Sequence, residues 1–263
     1  MTNSGIVKLS IFQFSLIYLL LIVVLAIMKK ANVNQTKLLI VASLRMTVQL
    51  TLAGFVLTYI FENPSPLFTS IYLIAMTLFA IHRALSKNKW LNKSFKWATA
   101  LSLAGSGLLI LAFFVIVVVR VDFFNPQYTI PLSGMIMGNA MTGVNLGLKS
   151  FKDNFSSQRK RVETLLNLGV KPKKILLPFS QNALETALLP TLNNMVGMGI
   201  ISLPGMMTGQ ILSGTPPTTA ILYQIAIMIA IATVVCLATF STLNLGIRTL
   251  YNDKNQIEFS YEN

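Results

Sequence analysis

The sequence predicts an all-α, polytopic membrane protein of about seven transmembrane helices, with the N-terminus outside and the C-terminus in the cytoplasm. Three observations predict it. Of the 263 residues, 54% are hydrophobic and only 11% charged, whereas soluble domains carry roughly 25% charged residues. The apolar residues gather in continuous runs of bilayer length, which suits helices and excludes the alternating pattern of a β-barrel. The basic residues crowd into short polar gaps between alternate runs, as they do in cytoplasmic membrane loops.

Crossing the hydrocarbon core takes about 20 apolar residues. Seven stretches supply them: 9–28, 38–61, 67–85, 97–119, 128–148, 175–203 and 218–247. The first ends at Met28-Lys29-Lys30 with no small-residue cleavage pattern, so it reads as a retained helix and not a signal peptide. The third carries His82 and Arg83 near its end. The fifth contains two GxxxG pairs, Gly134/Gly138 and Gly143/Gly147. At about 3.6 residues per turn the two pairs face opposite sides, which predicts a helix packed between two neighbours. The sixth is overlong and holds Pro178 and Pro190; it reads as one kinked helix or as a helix followed by a re-entrant segment.

The charges set the orientation. With the N-terminus outside, the inside segments are 29–37, 83–96, 149–174 and the C-terminal tail. The first two hold Lys29, Lys30, Lys37, Arg83, Lys87, Lys89, Lys93 and Lys96. The third holds Lys149, Lys152, Arg159, Lys160, Arg161, Lys171, Lys173 and Lys174, and the tail adds Arg248 and Lys254. Lys8 and Arg120 are left outside, and Arg45 lies within a helix. An even helix count would break this alternation. The longest loop, 149–174, is too short for a core of its own, so residues 1–263 are expected to form a single transmembrane domain.

The net charge of +13 belongs to these loops, and nucleic-acid binding is not expected. One cysteine, Cys236, sits inside an apolar run and one histidine, His82, at a membrane boundary. Neither can build a disulfide framework, a metal cluster or a catalytic triad. The phosphate-binding pattern G-x-x-x-x-G-K-[ST] is missing from the chain, so ATP hydrolysis is expected in another polypeptide. No enzyme activity and no cofactor are expected of this one.

The loop 149–174 is the most informative segment. A short amphipathic helix is predicted over 162–168, with Val162, Leu165, Leu166 and Leu168 as its apolar positions, Gly169 as its C-cap and Pro172 as a stop. An exposed apolar stripe there calls for a partner or the membrane surface. Glu163 followed six residues later by Gly169, then Ile175 and Pro178, resembles the EAA-type cytoplasmic loop of ABC transporter permeases, with a shorter spacing after the glycine than in the usual importers. The resemblance implies that Glu163, Leu165, Leu166 and Gly169 couple the chain to an ATPase subunit at the cytoplasmic face.

A second resemblance covers almost the whole chain. Leu189-Pro-Thr-Leu-Asn193-Asn194 and Ser202-Leu-Pro204-Gly205-Met206-Met207-Thr208-Gly209-Gln210-Ile-Leu212 are similar to the signature of the FetB-like iron-export permeases. Leu44-Arg45-Met-Thr-Val-Gln49, Pro131-Leu-Ser-Gly134-Met-Ile-Met-Gly138-Asn139 and Tyr223-Gln224-Ile continue it. It implies the permease subunit of an ABC exporter in a plasma membrane, two copies of this chain working with two copies of a separate ATPase. Bacterial members are assigned to iron export, and plant relatives involved in aluminium tolerance are linked to UDP-glucose, so the family implies an ABC permease more firmly than a substrate.

Two charges lie deep in apolar runs, Arg45 and Glu185. Counted from the inner ends of their segments they are roughly 10 and 15 Å deep at about 1.5 Å per residue. A charge at the helix centre costs on the order of 3 kcal/mol on insertion scales. Gln49 shares the Arg45 face one turn on, so Arg45, Gln49 and Glu185 are expected to meet in an interior polar cluster. The alternative is that Arg45 snorkels to the inner surface and Glu185 lines a water-filled vestibule.

Pro204, Gly205 and Gly209 break the helical pattern near the outside face, where Asn193, Asn194, Thr208 and Gln210 add polar groups. Such a break belongs where backbone is buried in protein or lines water, so it reads as a gate or substrate path, to which Asn139 is added. Met195, Met198, Met206 and Met207 read as flexible packing and not as iron ligands, since thioethers suit soft Cu(I). The rival readings are an ABC permease for a nucleotide sugar, an ion-driven secondary transporter, which tends to carry inverted repeats, and a non-transporting scaffold.

Overall fold

The computed structural model describes residues 10–252 and 256–257. Leu9, Lys8 and Lys254, assigned above to the first helix, the outside and the tail, lie outside the described residues. Among those described the chain is helical, with no strand; Met198 with Ser202 and Tyr251 with Ile257 form isolated bridges. The expected all-α class holds. Five helical stretches are long and apolar enough to cross a membrane: Ile11–Lys30, Thr36–Glu62, Pro66–Lys87, Lys93–Val119 and Pro217–Ile247. Residues 128–148 and 175–197 also fold as helix, but their Gly, Ser, Thr, Asn and Pro content keeps them below the apolarity of the other five. The chain divides into two compact units, Met1–Asn63 with Gly209–Thr215, and Pro64–Thr208 with Pro216–Asn263.

The first unit holds α1 (Ile11–Leu16), α2 (Tyr18–Lys30) and α3 (Thr36–Glu62). Ser10 starts α1 with a capping box: its Oγ accepts from the Gln13 N–H at 3.2 Å, and the Gln13 Oε1 accepts from the Ser10 N–H at 2.9 Å. Lys29 and Lys30 occupy the last turn of α2, where cations favour the helix dipole. Asn32 turns the chain at φ 53°. The Tyr18 and Thr47 hydroxyls share a hydrogen bond of 2.5 Å, joining α2 to α3. No residue of α1 or α2 is buried, and Ile60 is the one buried residue of α3. In water such a surface would aggregate; in hydrocarbon it meets a solvent of its own polarity.

The second unit packs α4 (Pro66–Lys87), α5 (Lys93–Phe113), α6 (Pro126–Ser157), α7 (Arg159–Asn167), α8 (Pro172–Gly197) and α10 (Pro217–Ile247). The short α9 (Gly205–Leu212) begins in it. Caps fix the starts. Ser65, Asn92 and Asn125 each accept a backbone N–H of the first turn through their side-chain oxygens, and Pro66 and Pro126 stand at first helical positions, where no N–H is needed. The last turn of α5 widens into a π-helix over Phe114–Val119, closed by Arg120 in the left-handed region.

Side-chain bonds set the heights of the helices against one another. Asn92 Nδ2 donates to the Thr249 carbonyl at 2.9 Å, tying the start of α5 to the end of α10. Thr69 Oγ1 donates to the Phe124 carbonyl at 3.0 Å, and Asn88 Nδ2 to Asn145 Oδ1 at 2.9 Å, tying the two ends of α4 to the α6 region. Phe95, Leu111, Ile136, Leu148, Phe151, Leu176 and Ile227 are fully buried between α5, α6, α8 and α10.

The fifth segment packs between neighbours through three of its four glycines, Gly138 having nothing within 4 Å of a built Cβ. A Cβ on Gly143 would meet Val235 Cγ1 at 2.6 Å, and one on Gly147 would meet Thr239 Cγ2 at 2.7 Å and the Ala183 carbonyl at 3.3 Å, on α10 and α8. On another side, a Cβ on Gly134 would reach Met76 of α4 at 3.2 Å. The sixth segment is broken rather than merely kinked. Helix α8 stops at Gly197, Gly199 takes φ 82°, and the chain turns through 198–204 before α9.

Candidate functional site

The break after α8 borders a cavity of about 370 Å³ inside the second unit. It is lined by Met135 and Asn139 of α6, by Thr191, Asn194 and Met198 at the end of α8, by Ser202 and Pro204 of the turn with Gly205 and Met206 at the start of α9, and by one face of α10 from Gln224 to Ile231. Pro131 and Pro190 lie within α6 and α8, a turn or less from these lining residues. Each proline removes an i→i−4 hydrogen bond, so both helices are loosened beside the cavity.

The polar lining consists of amides and hydroxyls. Asn139 Nδ2 donates to the Met135 carbonyl of its own helix at 2.8 Å. Gln224 is 5% exposed, and its Nε2 donates to Met198 Sδ at 3.7 Å. Its Oε1 is buried and has no hydrogen-bond partner. An orphaned buried acceptor costs about 1–3 kcal/mol, a cost that a donor on a bound molecule would remove. The remaining wall is thioether and aliphatic: Met135, Met198, Met206, Met228, Ile227 and Ile231. No titratable side chain lines the cavity, and among the described residues no cluster of three His, Cys, Asp or Glu could hold a metal ion.

Four of the residues singled out for a gate or path, Asn139, Asn194, Pro204 and Gly205, come together here. Asn193 is exposed and outside the lining. Glu185 is exposed on α8, in the second unit, while Arg45 and Gln49 are exposed one turn apart on α3, in the first. Gln210 lies on α9 and belongs to the first unit. Two of the four methionines read as packing, Met198 and Met206, line the cavity, whereas Met207 is buried and Met195 is 36% exposed. Thr191, Ser202 and Gln224 line the cavity as well, beyond the residues that the sequence marks. Gln224 had a usable signal, being the one amide in residues 218–243.

The loop helix forms at α7, starting earlier than the predicted 162. Its end is a Schellman turn: Gly169 at φ 78° donates its N–H to the Leu166 carbonyl at 2.9 Å, and Val170 donates to that of Leu165 at 3.0 Å. The expected exposed stripe is corrected here. Val162 is buried, and Leu165 and Leu166 are half-buried against the unit's own core, leaving Leu168 as the outward apolar residue at 74% exposure. The stripe seats α7 on its own chain because α6 and α8 supply apolar side chains beneath it. Glu163 faces out and pairs with Arg159 at 2.7 Å.

Residues 11–251 match the family described as "Uncharacterised protein family (UPF0014)". The chain belongs to this family. UPF0014 relatives cover it broadly. It is 32% identical over 237 residues to a UPF0014 membrane protein of Synechocystis sp., 89% of this chain and 90% of that one. It is 29% identical to the probable iron export permease protein FetB of Escherichia coli, over 93% of each chain. It is 36% identical to Protein ALUMINUM SENSITIVE 3 of Arabidopsis thaliana, over 70% of this chain and 66% of that one. No solved structure matches the UPF0014 chain described here. Membership, with several bilayer-length helices, makes it a multi-pass protein of the cell membrane.

Proposed function

We propose that this chain is the membrane-spanning subunit of an ABC transporter, an exporter of iron or another metal driven by a separate ATPase subunit. The observation that carries the reading is α7. It joins the ends of α6 and α8, is seated on the bundle by Val162, Leu165 and Leu166, and is held rigid at its end by the Gly169 turn. A helix so seated moves with α6 and α8, and those two helices also line the cavity. An ATPase subunit gripping the outward face, with Glu163 and Leu168, would pull on the helices that shape the cavity as ATP closes it.

In this reading α6 and α8 join the five strongly apolar stretches to make seven spans, N-terminus outside and C-terminus inside. The whole chain works as one permease domain. Two copies assemble with two ATPase subunits, and the unburied apolar faces of α1 to α3 meet lipid or the second copy. Arg45, Gln49 and Glu185 form a polar cluster along the path. Asn139, Asn193, Asn194, Pro204, Gly205 and Gln210 form its gate, because the backbone broken over 198–204 needs water or protein partners.

The cargo chemistry follows from a cavity without charge. Bare Fe(II) prefers imidazole and carboxylate and would shed its water there for little return. A metal would pass as a neutral complex, or as a soft cation on the thioethers. The unpartnered Gln224 Oε1 favours a second reading, a hydroxyl-bearing cargo such as the sugar of a nucleotide sugar.

The test is purification of the chain with a candidate ATPase and reconstitution in vesicles. ATP hydrolysis that rises with one member of a panel of metal salts, metal chelates and nucleotide sugars, and that depends on α7, is the expected result. Transport by this polypeptide alone, without nucleotide, would overturn the reading in favour of an ion-driven transporter.

A further inference from the structure

A second pocket, of about 510 Å³, lies where α4 ends beside α6, lined by Lys87, Asn88, Trp90, Lys149, Lys152 and Asp153 among others. None of these residues lines the transport cavity or belongs to α7. We propose that this pocket binds a phosphate-bearing anion, the headgroup of an anionic lipid in the leaflet at the lysine-rich end of the helices.

Charge is the first support. Three lysines surround the pocket against the single carboxylate of Asp153, and none of them is in an ion pair, Arg159 with Glu163 being the salt bridge found among the described residues. Three ammonium groups against one carboxylate leave the hollow with a net positive charge, which favours an anion. Position is the second. Lys87 is in the last turn of α4, and Lys149 and Lys152 directly follow the apolar run of α6. That is headgroup depth, where basic pockets between transmembrane helices take anionic headgroups.

Preformed walls are the third support. Asn88 is 4% exposed and donates through Nδ2 to the Ala84 carbonyl at 2.8 Å and to Asn145 Oδ1 at 2.9 Å. Asn145 also lines the pocket, and its Nδ2, for which no hydrogen bond is found among the described residues, can donate to an anion. Trp90, 5% exposed, stacks on Phe151 at 6.2 Å and meets the Phe95 ring edge-on at 5.6 Å. The site thus has a rigid floor, a neutral amide donor and three mobile point charges, which is the chemistry of a phosphate cradle built with lysine.

Native mass spectrometry of the full-length protein, released from micelles containing dioleoylphosphatidylglycerol or dioleoylphosphatidylcholine, tests this without any ATPase or cargo. Retention of phosphatidylglycerol well above phosphatidylcholine is expected, with a loss of about fivefold per lysine in Lys87→Gln, Lys149→Gln and Lys152→Gln. The single variants serve if the triple variant fails to fold. A control, Lys29→Gln with Lys30→Gln and Lys37→Gln, removes the same charge elsewhere and should retain the lipid. Equal losses in the control and the pocket variants would overturn the proposal. So would unchanged retention in the pocket variants. Displacement of the lipid by millimolar inorganic phosphate would overturn the lipid assignment and leave a soluble anion as the ligand.

Discussion

Gly246 of α10 lies directly against the ring of Phe95 in α5, so closely that a Cβ built on the glycine would fall among the ring carbons. Asn92 and Thr249 bond across the same crossing. Helices in a bilayer gain little hydrophobic drive from meeting one another, so close packing and interhelical hydrogen bonds carry their association. Here both are concentrated at one end of the α5–α10 pair.

Gly246→Ala should therefore lower stability, by about 1–3 kcal/mol for an overpacked site. Gly105→Ala, on α5 with nothing within 4 Å of its built Cβ, should stay within about 0.5 kcal/mol of the parent. Thermal unfolding in detergent compares them, and indistinguishable midpoints would argue against this crossing.

Gln224→Met removes the orphaned acceptor at similar volume. Stability should hold or rise by about 1 kcal/mol, because a buried unsatisfied group disappears. Transport by the reconstituted complex should fall at least about tenfold if Oε1 receives a donor from the cargo, a change worth about 1.4 kcal/mol. Full transport with raised stability would make Gln224 a structural residue only.

Glu163→Gln removes an exposed ion pair with Arg159, both side chains being more than half exposed. Such pairs are worth about 0–1 kcal/mol, so the midpoint should barely move. Co-purification with the ATPase subunit is expected to weaken several-fold. Retained binding would shift the contact to Leu168 and the basic residues around it.

Gly169→Ala forces a Cβ into the left-handed region, at about 1–2 kcal/mol. Space is not the obstacle, since nothing lies within 4 Å of the built Cβ. Faster hydrogen exchange over 165–170 with unaltered exchange in α5 and α10 is the expected outcome. A globally destabilised pattern would mean that the turn supports the whole bundle.

Arg45→Glu and Glu185→Arg should each lose transport, and the double exchange should recover part of it if the two charges meet. A double variant no better than either single one would favour an arginine that snorkels and a glutamate in a wet vestibule.

Much of the helical fold was readable because apolar run length and turn chemistry are local. The Gly169 turn follows from one glycine after an apolar periodicity, whereas the caps at Ser65, Asn92 and Asn125 emerged only from the structure. The glycine phases of α6 pointed to two packing sides, since helical rotation is fixed by the repeat, but not to the open space around Gly138. The α7 stripe faces its own bundle for a reason periodicity does not carry: it says that Val162, Leu165 and Leu166 share a face, but not what lies beneath that face.

The sequence by itself determined that this is a helical membrane protein, since bilayer-length apolar runs are sums along the chain, and its match over residues 11–251 places it in the UPF0014 family. Only the tertiary structure decided which side chains share the cavity. Met135, Asn194, Ser202 and Gln224 come from separate elements, and their meeting depends on the rotation and tilt of α6, α8 and α10 and on the turn at 198–204. Those angles are set by contacts between distant residues, such as Gly143 with Val235, which no run of neighbouring residues encodes.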